Sequence, residues 1–192
     1  MKLRNLENKD AAFMLEWMHD TSVVKYMRSD FINKTKNDCL AFIKNSNQSN
    51  TDIHKAITDN NDEYLGSVSL KNICNKSAEF AIIIRKKTMG KGVASFAMKE
   101  IISFGFQILK LEYIYWCVNY KNIRAIKFYD KLGYKKVLFD TNLKSRVIGG
   151  GTAQKRLITL FGIKFLKKNF TLCLLYNFLH YLLLTIRQEL CK

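Results

Sequence analysis

The chain has 192 residues, 48% hydrophobic and 25% charged, a composition that supports one domain with a buried core and excludes a disordered protein. Its five cysteines contain no C-x-x-C pair and its three histidines are far apart, so the pattern predicts no metal site and no disulfide framework. The formal charge is +16, but basic residues are interspersed without the aromatic pattern of nucleic-acid binding, so we expect no nucleic-acid partner.

The first predicted elements are a short strand and two helices. Residues Lys2–Leu6 are predicted to form the strand, and apolar residues at helical spacing predict a helix over 10–19. Thr35 and Asp38 form a capping-box pattern that begins a second helix. The N-terminus contains no apolar core of signal-peptide length, which together with the scattered thiols predicts a cytoplasmic location.

The hydrophobic period then changes to that of strands. Alternating apolar residues predict strands over 51–59 and 63–70, and the continuous apolar run at 80–84 predicts a more buried third strand. Helical spacing returns over 93–110, and an aromatic and β-branched strand follows at 113–118.

The last regular elements are a helix and a strand. Asn122 is predicted to cap the helix, which Gly133 ends, and Lys135–Asp140 is predicted to form the strand. The element order is therefore β-α-α-β-β-β-α-β-α-β, which predicts an α+β fold.

A glycine-containing turn separates the buried third strand from the long helix. Gly90 and Gly92 permit a positive φ and close approach of a ligand to the backbone, and the helix start offers N–H groups that favour a phosphate. Lys86, Lys87 and Lys91 add charge of the right sign. From spacing alone, an ordinary strand-to-helix turn is as good an interpretation as a phosphate site, and neither the G-x-G-x-x-G nor the Walker pattern is present.

Residues 84–94 nevertheless resemble motif A of the GNAT superfamily of N-acetyltransferases, R/Q-x-x-G-x-G/A, which binds the pyrophosphate of acetyl-CoA. Gly92 and Ala94 take the last two defined positions of the motif, and Met89 stands where the family usually has Arg or Gln. Much of the pyrophosphate binding in the family comes from backbone N–H groups, and Met89 still provides its own.

A second match, Asn122-x-x-Ala125-x-x-x-Tyr129, resembles motif B of the same family. The segments Leu15-Glu16-Trp17 and Leu65-Gly66-Ser67-Val68 are similar to the ribosomal-protein-alanine and amino-sugar acetyltransferase branch. The resemblance covers about residues 1–138. It implies the GNAT fold, a mixed and mostly antiparallel central sheet flanked by helices, with acetyl-CoA as cosubstrate and no metal.

The resemblance and the local sequence together suggest roles for individual residues in acetyl transfer to a primary amine. Tyr129 is expected to protonate the leaving thiolate, although a core tyrosine is the alternative. Glu79, beside the Ile-rich strand, is the best candidate for the base, and the alternative is that Glu79 is an ordinary solvent-facing strand residue. His54 and Glu63 are weaker candidates for the base. Cys117 is predicted to be a small buried residue and not a nucleophile. The residues expected to bind acetyl-CoA are Ile82, Ile84, Lys87, Met89, Gly90, Lys91, Gly92, Val93, Ala94 and Asn122.

The acceptor and the oligomeric state stay open. An amino sugar, free or nucleotide-linked, is the favoured acceptor, and a protein N-terminus or another small-molecule amine fits the same residues. A competing hypothesis is a membrane-associated or basic binding protein in which the acetyltransferase fold is catalytically idle.

The C-terminal quarter departs from the family pattern. We predict an acetyltransferase domain over 1–140 and an atypical, helical tail over 141–192, which holds nine basic residues and one acidic residue. No clear strand follows residue 140, and residues 169–186 carry no formal charge, which is borderline for a membrane span. The tail is interpreted as a packed helix, a membrane anchor or, preferably, a non-native end produced by a shifted reading frame.

Overall fold

The computed structural model describes residues 1–27, 29–134 and the backbone of 158–164. The strands are β1 (Lys2–Asn5), β2 (Ile53–Thr58), β3 (Tyr64–Cys74), β4 (Ser77–Ile84), β5 (Tyr113–Asn119) and β6 (Ile158–Lys164). The helices are α1 (Ala11–Met18), α2 (Thr21–Val24), α3 (Lys36–Gln48), α4 (Val93–Gln107) and α5 (Ile123–Lys131).

The strands form one sheet in the order β1-β2-β3-β4-β5-β6. Every neighbouring pair is antiparallel except β4 and β5, which are parallel. This confirms the predicted α+β class and the mixed, mostly antiparallel sheet. The four-residue helix α2 was not predicted because it is too short to show a period, and the strand predicted at 135–140 lies outside the described residues.

Local capping fixes where the helices begin, as the sequence predicts. Asp38 N–H donates to Thr35 Oγ1 at 3.2 Å, and Thr35 N–H donates to Asp38 Oδ2 at 2.8 Å, so the capping box of α3 is closed in both directions. The Asn122 side chain accepts from Ala125 N–H at the start of α5. Gly133 ends that helix with φ +78°.

The two faces of the sheet bury two separate cores. On one face, Phe80 of β4 and Trp116 of β5 pack with α4 and α5. On the other face, α1, α2 and α3 cover Ala56 and Tyr64. Because side chains alternate along a strand, neighbouring residues of β4 contribute to opposite faces, and this decides which predicted site residues can meet.

The structure corrects one expectation about the tail. Residues 158–164 form strand β6, antiparallel to β5 along its whole length, whereas the sequence predicts a helical tail with no clear strand. A short apolar run fits a strand or a helix equally well by period alone, and here the edge of β5 supplies the pairing that decides. The proposed boundary at residue 140 lies outside the described residues.

No helix within residues 1–27, 29–134 and 158–164 is long and apolar enough to cross a membrane. The apolar run at 169–186 lies outside this part of the chain.

Candidate active site

The site is organised around an opening between β4 and β5. The two parallel strands pair at only three positions, from Ser77 opposite Tyr113 to Glu79 opposite Tyr115. Strand β4, in contrast, stays paired with β3 as far as Ile84. Beyond Glu79, the edge of β4 that faces β5 is therefore not paired with β5. A wedge-shaped opening between the two strands begins at this point.

The predicted N–H donors Ile82 and Ile84 lie on this edge. Arg85 N–H donates to Leu65 O of β3 at 3.0 Å. Because N–H directions alternate along a strand, the N–H groups of Ile84 and Ile82 point the other way, into the opening. Both residues are half-buried, and their side chains pack against the α4 core.

Gly66 of β3 sets the path of β4 at this point. A Cβ built on Gly66 would lie 2.3 Å from the Ile83 carbonyl oxygen, closer than any side chain permits. Only glycine allows the end of β4 to approach β3 so closely. The Leu65-Gly66-Ser67-Val68 pattern therefore has a structural reason in this chain.

The glycine turn joins β4 to α4 and is open to solvent. Gly90 and Gly92 have φ of +80° and +78°, a conformation that favours glycine, and a Cβ built on either would meet nothing within 4 Å. Gly92 is the N-cap of α4 and contributes no side-chain cap, and the helix begins with Phe96 N–H bonded to Gly92 O. The N–H groups of the first turn therefore have no intrahelical acceptor, and the space beside them fits a phosphate.

The other predicted cofactor residues differ in what they present. Lys91 is exposed, Met89 and Ala94 are half-buried, and Val93 is 4% exposed with its side chain in the core, so Val93 can contribute only its backbone N–H. Lys87 is exposed but ion-paired with Glu63. A cavity of roughly 410 Å³ adjoins the turn on the side of β1–β3, and neither Glu79 nor Tyr129 lines it.

Tyr129 lies on the α4 and α5 side of the sheet, where the opening begins. Its ring is 6% exposed and packs 5.2 Å from the Trp116 ring, centroid to centroid, and Trp116 directly follows the last residue of β5 that pairs with β4. Burial raises the pKa of the Tyr129 phenol well above its ordinary value. The phenol is therefore protonated throughout the physiological range, and it is a weaker acid than an exposed tyrosine.

Glu79 lies at the same level of the sheet but on the opposite face. Its carboxylate is 3.5 Å from Lys71 Nζ and accepts from Asn72 Nδ2 at 3.3 Å. Glu79 pairs with Tyr115, whose pKa burial raises to about 12, with the nearby Glu79 charge adding to the rise. The structure brings Tyr129 and Glu79 to the two sides of one opening and does not bring them into contact.

The weaker candidates for the base are held in other interactions. The ring nitrogen Nδ1 of His54 is 2.7 Å from Ser69 Oγ, the ring packs edge-on against Phe42, and burial lowers the pKa of His54. Glu63 is ion-paired with Lys87 and with Arg85, and its pKa is lowered chiefly by the hydrogen bond from Lys87. Neither residue borders the opening between β4 and β5.

Asn122 uses its side-chain oxygen to cap α5, which leaves the amide nitrogen to contact a ligand. Cys117 is half-buried and lies on the Glu79 face of β5, because residues two positions apart on a strand share a face and Cys117 follows Tyr113 and Tyr115 at that spacing. Sequence reasoning missed Tyr115. The signal was the spacing of two tyrosines at i and i+2 on a predicted strand, which puts both rings on one face, and the rings of Tyr113 and Tyr115 do stack at 6.0 Å.

Comparisons with known proteins identify the family of the chain. Residues 1–135 match the family described as Acetyltransferase (GNAT) domain. The chain is 31% identical over 141 residues to spermidine N(1)-acetyltransferase of Escherichia coli K12, which covers 70% of this chain and 72% of the relative. It is 25% identical over 134 residues to acetyltransferase PseH of Campylobacter jejuni strain 81-176, covering 68% of this chain and 82% of the relative.

Among solved structures, the spermidine N-acetyltransferase of Vibrio cholerae in complex with CoA and spermine superposes with a TM-score of 0.69. The match covers 85% of this chain and 94% of that one at 22% identity, so it supports the fold. With the family match over residues 1–135, the GNAT fold and the open glycine turn, the chain belongs to the GNAT family and is an N-acetyltransferase that uses acetyl-CoA.

Proposed function

We propose that this enzyme acetylates a primary amine that binds on the α1–α3 face of the sheet, beside Glu79. The observation that carries the proposal is the opening between β4 and β5. The solvent-exposed N–H groups of the glycine turn lie at one end of this opening. The buried Tyr129 phenol lies on one face of the sheet beside it, and the Glu79 carboxylate lies on the other face. Acetyl-CoA and the amine would meet across the sheet through this opening.

The cofactor is held chiefly by main-chain groups. The turn at Gly90–Gly92 and the first N–H groups of α4 bind the pyrophosphate, where the helix dipole favours negative charge. The N–H groups of Ile82 and Ile84 face the opening and donate to the thioester carbonyl oxygen. When bound, acetyl-CoA supplies the acetyl group as an activated thioester, and the absence of any atom within 4 Å of a Cβ built on Gly90 or Gly92 leaves the backbone there open to its pyrophosphate.

The proton transfers are assigned to side chains on opposite faces. Glu79 takes a proton from the ammonium form of the acceptor, directly or through a water molecule, because an alkylamine is mostly protonated at pH 7. As the amine nitrogen bonds to the acetyl carbon and the C–S bond breaks, Tyr129 gives its proton to the leaving thiolate. Its raised pKa makes this transfer less favourable than from an exposed phenol, but keeps the proton available at every physiological pH. The new amide nitrogen then loses its extra proton to water, and water returns a proton to Tyr129.

The acceptor class that we propose first is a polyamine such as spermidine. Two observations support it: the 31% identity to a relative named as a spermidine N(1)-acetyltransferase, and the half-buried Glu79 carboxylate beside the stacked Tyr113 and Tyr115 rings. A carboxylate next to aromatic faces favours a cationic amine.

An amino sugar linked to a nucleotide is the second candidate. The formal charge of +16 favours an anionic acceptor, because a basic surface concentrates anions and repels polycations. The two candidates are expected to differ in how KM responds to salt. A rise in ionic strength is expected to raise KM for an anionic acceptor and to leave KM for spermidine unchanged or lower.

The tail bears on whether the fold is active. We infer that residues 158–164 belong to the enzyme as its last strand, since they pair with β5 along its length and cover an edge that would otherwise be exposed. An idle fold with a foreign or membrane-associating tail is the alternative. Sedimentation with anionic vesicles in the absence of any CoA binding would favour that alternative.

The deciding experiment measures CoA binding by calorimetry and then thiol release from acetyl-CoA with separate acceptors. The acceptors are spermidine, glucosamine, a nucleotide-linked amino sugar and a peptide with an N-terminal alanine, the last for the ribosomal-protein-alanine branch. We expect CoA binding and thiol release with spermidine. Binding of CoA without release above the amine-free rate for any acceptor would contradict the proposed function.

A further inference from the structure

Arg85 is a buried arginine at the junction of β4 and the glycine turn. It is 3% exposed, and its guanidinium lies 4.4 Å from the centre of the Phe13 ring. Arg85 Nε donates to Glu16 Oε1 at 3.1 Å and Nη2 donates to Glu16 Oε2, so the Glu16 pair is bidentate. Arg85 Nη1 donates to the Glu63 carboxylate at 3.0 Å and to Tyr64 O at 2.8 Å.

These contacts connect three separate parts of the chain. Glu16 lies on α1, Glu63 immediately precedes β3, and Tyr64 is the first residue of β3, whereas Arg85 itself precedes the glycine turn. A buried arginine is costly unless its charge and donors are matched, and a bidentate carboxylate fixes its orientation. The guanidinium therefore holds α1, β3 and the end of β4 in one geometry.

The backbone of Arg85 forms the base of the turn. Arg85 O accepts from Thr88 N–H at 3.0 Å and from Thr88 Oγ1 at 2.9 Å, which closes the 3₁₀ turn Lys86–Thr88 that leads to Gly90. The next residue, Lys86, lies 3.6 Å from the Asp20 carboxylate. Arg85 and Lys86 are therefore paired with Glu16 and Asp20, two carboxylates that lie four positions apart between α1 and the start of α2.

We infer that Arg85 is a positioning residue that links helix α1, on the acceptor side, to the turn that binds acetyl-CoA. Its guanidinium donors are used by Glu16, Glu63 and Tyr64 O, so it acts on the cofactor through the backbone that it orients. This inference rests on the proposed role of the turn. It predicts that loss of the guanidinium weakens CoA binding, beyond any loss of stability.

The test compares Arg85→Met, Arg85→Lys and Glu16→Gln by calorimetric titration with CoA at a temperature well below each Tm. We expect Arg85→Met to raise the Kd for CoA about tenfold. Arg85→Lys and Glu16→Gln should raise Kd less, because lysine keeps the charge but loses the planar fork, and glutamine keeps only part of the pairing.

Arg4→Met is the matched control. Arg4 is also a largely buried arginine with a bidentate carboxylate, Asp10, and its Nε donates to Asp62 in the connection between β2 and β3, so its carboxylate partners lie outside the glycine turn. We expect a lower Tm with an unchanged Kd for CoA.

The outcomes separate this inference from the proposed function. Absence of CoA binding to the wild-type chain would contradict the proposed function itself. Wild-type binding together with an unchanged Kd in Arg85→Met would overturn the positioning role. If Arg85→Met does not fold, Glu16→Gln decides, because its carboxylate is half exposed and its loss is tolerated more easily. An unchanged Kd for CoA in Glu16→Gln, together with a lowered Tm, would mean that Arg85 stabilises the fold and does not position the turn.

Discussion

The two strands that border the opening contribute to the site in different ways. Strand β4 ends in an exposed turn, where Gly90 and Gly92 present main-chain N–H groups and no side chain. Strand β5 presents buried aromatic side chains: Trp116 packs against Tyr129 of α5 on one face, and Tyr115 lies on the other.

This difference separates binding from chemistry. Main-chain donors hold an anion with little dependence on side-chain identity, so the β4 side is expected to control the affinity for acetyl-CoA. A buried phenol depends on its surroundings for its pKa, so the β5 side is expected to control the rate of proton transfer. Variants on the two sides should therefore change different kinetic constants.

Tyr129→Phe is expected to have the largest effect. Loss of the proton donor should lower kcat about 100-fold, while KM for acetyl-CoA stays nearly unchanged. Tyr134→Phe is the control, because Tyr134 contacts the same Trp116 ring at 5.0 Å and the substitution likewise removes one hydroxyl. Steady-state kinetics checks both. An equal loss in kcat and in acetyl-CoA affinity, or no loss in either, would argue against the acid role.

Glu79→Gln extends the comparison to the opposite face. We expect kcat/KM for the amine to fall about 100-fold at pH 7, because the base is lost, and the deficit to shrink at higher pH as the free amine becomes abundant. Glu112→Gln is the control, since Glu112 immediately precedes β5 and is exposed in an ion pair with Lys76. A deficit that is constant from pH 7 to 10 would contradict the assignment of Glu79 as the base.

Gly92→Ala tests the β4 side and should give the opposite kinetic result. A left-handed alanine costs about 1–2 kcal/mol, and a shift of the turn that relieves this strain should raise KM for acetyl-CoA about tenfold with little change in kcat. Gly133→Ala introduces the same strain, at φ +78° with open space around it, but outside the turn. Differential scanning calorimetry should detect similar destabilisation in both variants. A similar rise in KM in both would remove the special role of Gly92.

The pH profile of the wild-type enzyme should show the smallest effect. Burial raises the pKa of Tyr129, so the phenol keeps its proton as the pH rises, and we expect no fall in kcat between pH 8 and 10. Stopped assays of thiol release, corrected for uncatalysed hydrolysis, measure this. A descending limb below pH 10 that disappears in Tyr129→Phe would mean that the phenol is more acidic than its burial implies.

Much of the fold could be predicted because its signals are local. Periodicity located the helices and strands through residue 134 except the four-residue helix α2, and the capping residues Thr35 and Asn122 act as their positions suggest. The glycine turn was equally visible, because few residues other than glycine adopt its backbone conformation.

The contacts that hold the site together could not be predicted in this way. In the sequence, Arg85 is indistinguishable from the other basic residues of a lysine-rich turn. Only the folded chain brings Glu16 and Glu63 to its guanidinium. The hydrophobic pattern of β6 does not distinguish a strand from a helix, and its pairing with β5 makes it a strand. Glu79 and Tyr129 are separated by the sheet, which a list of candidate residues does not reveal.

The sequence by itself determined the class of fold, the glycine turn and the spacing of Asn122 and Tyr129, because each depends on backbone preferences or on helix geometry within a few residues. The tertiary structure decided the opening between β4 and β5, the burial that raises the Tyr129 pKa and the carboxylates around Arg85. These features come from residues far apart in the chain, whose packing and charge environment exist only once the sheet and both of its helical layers have formed.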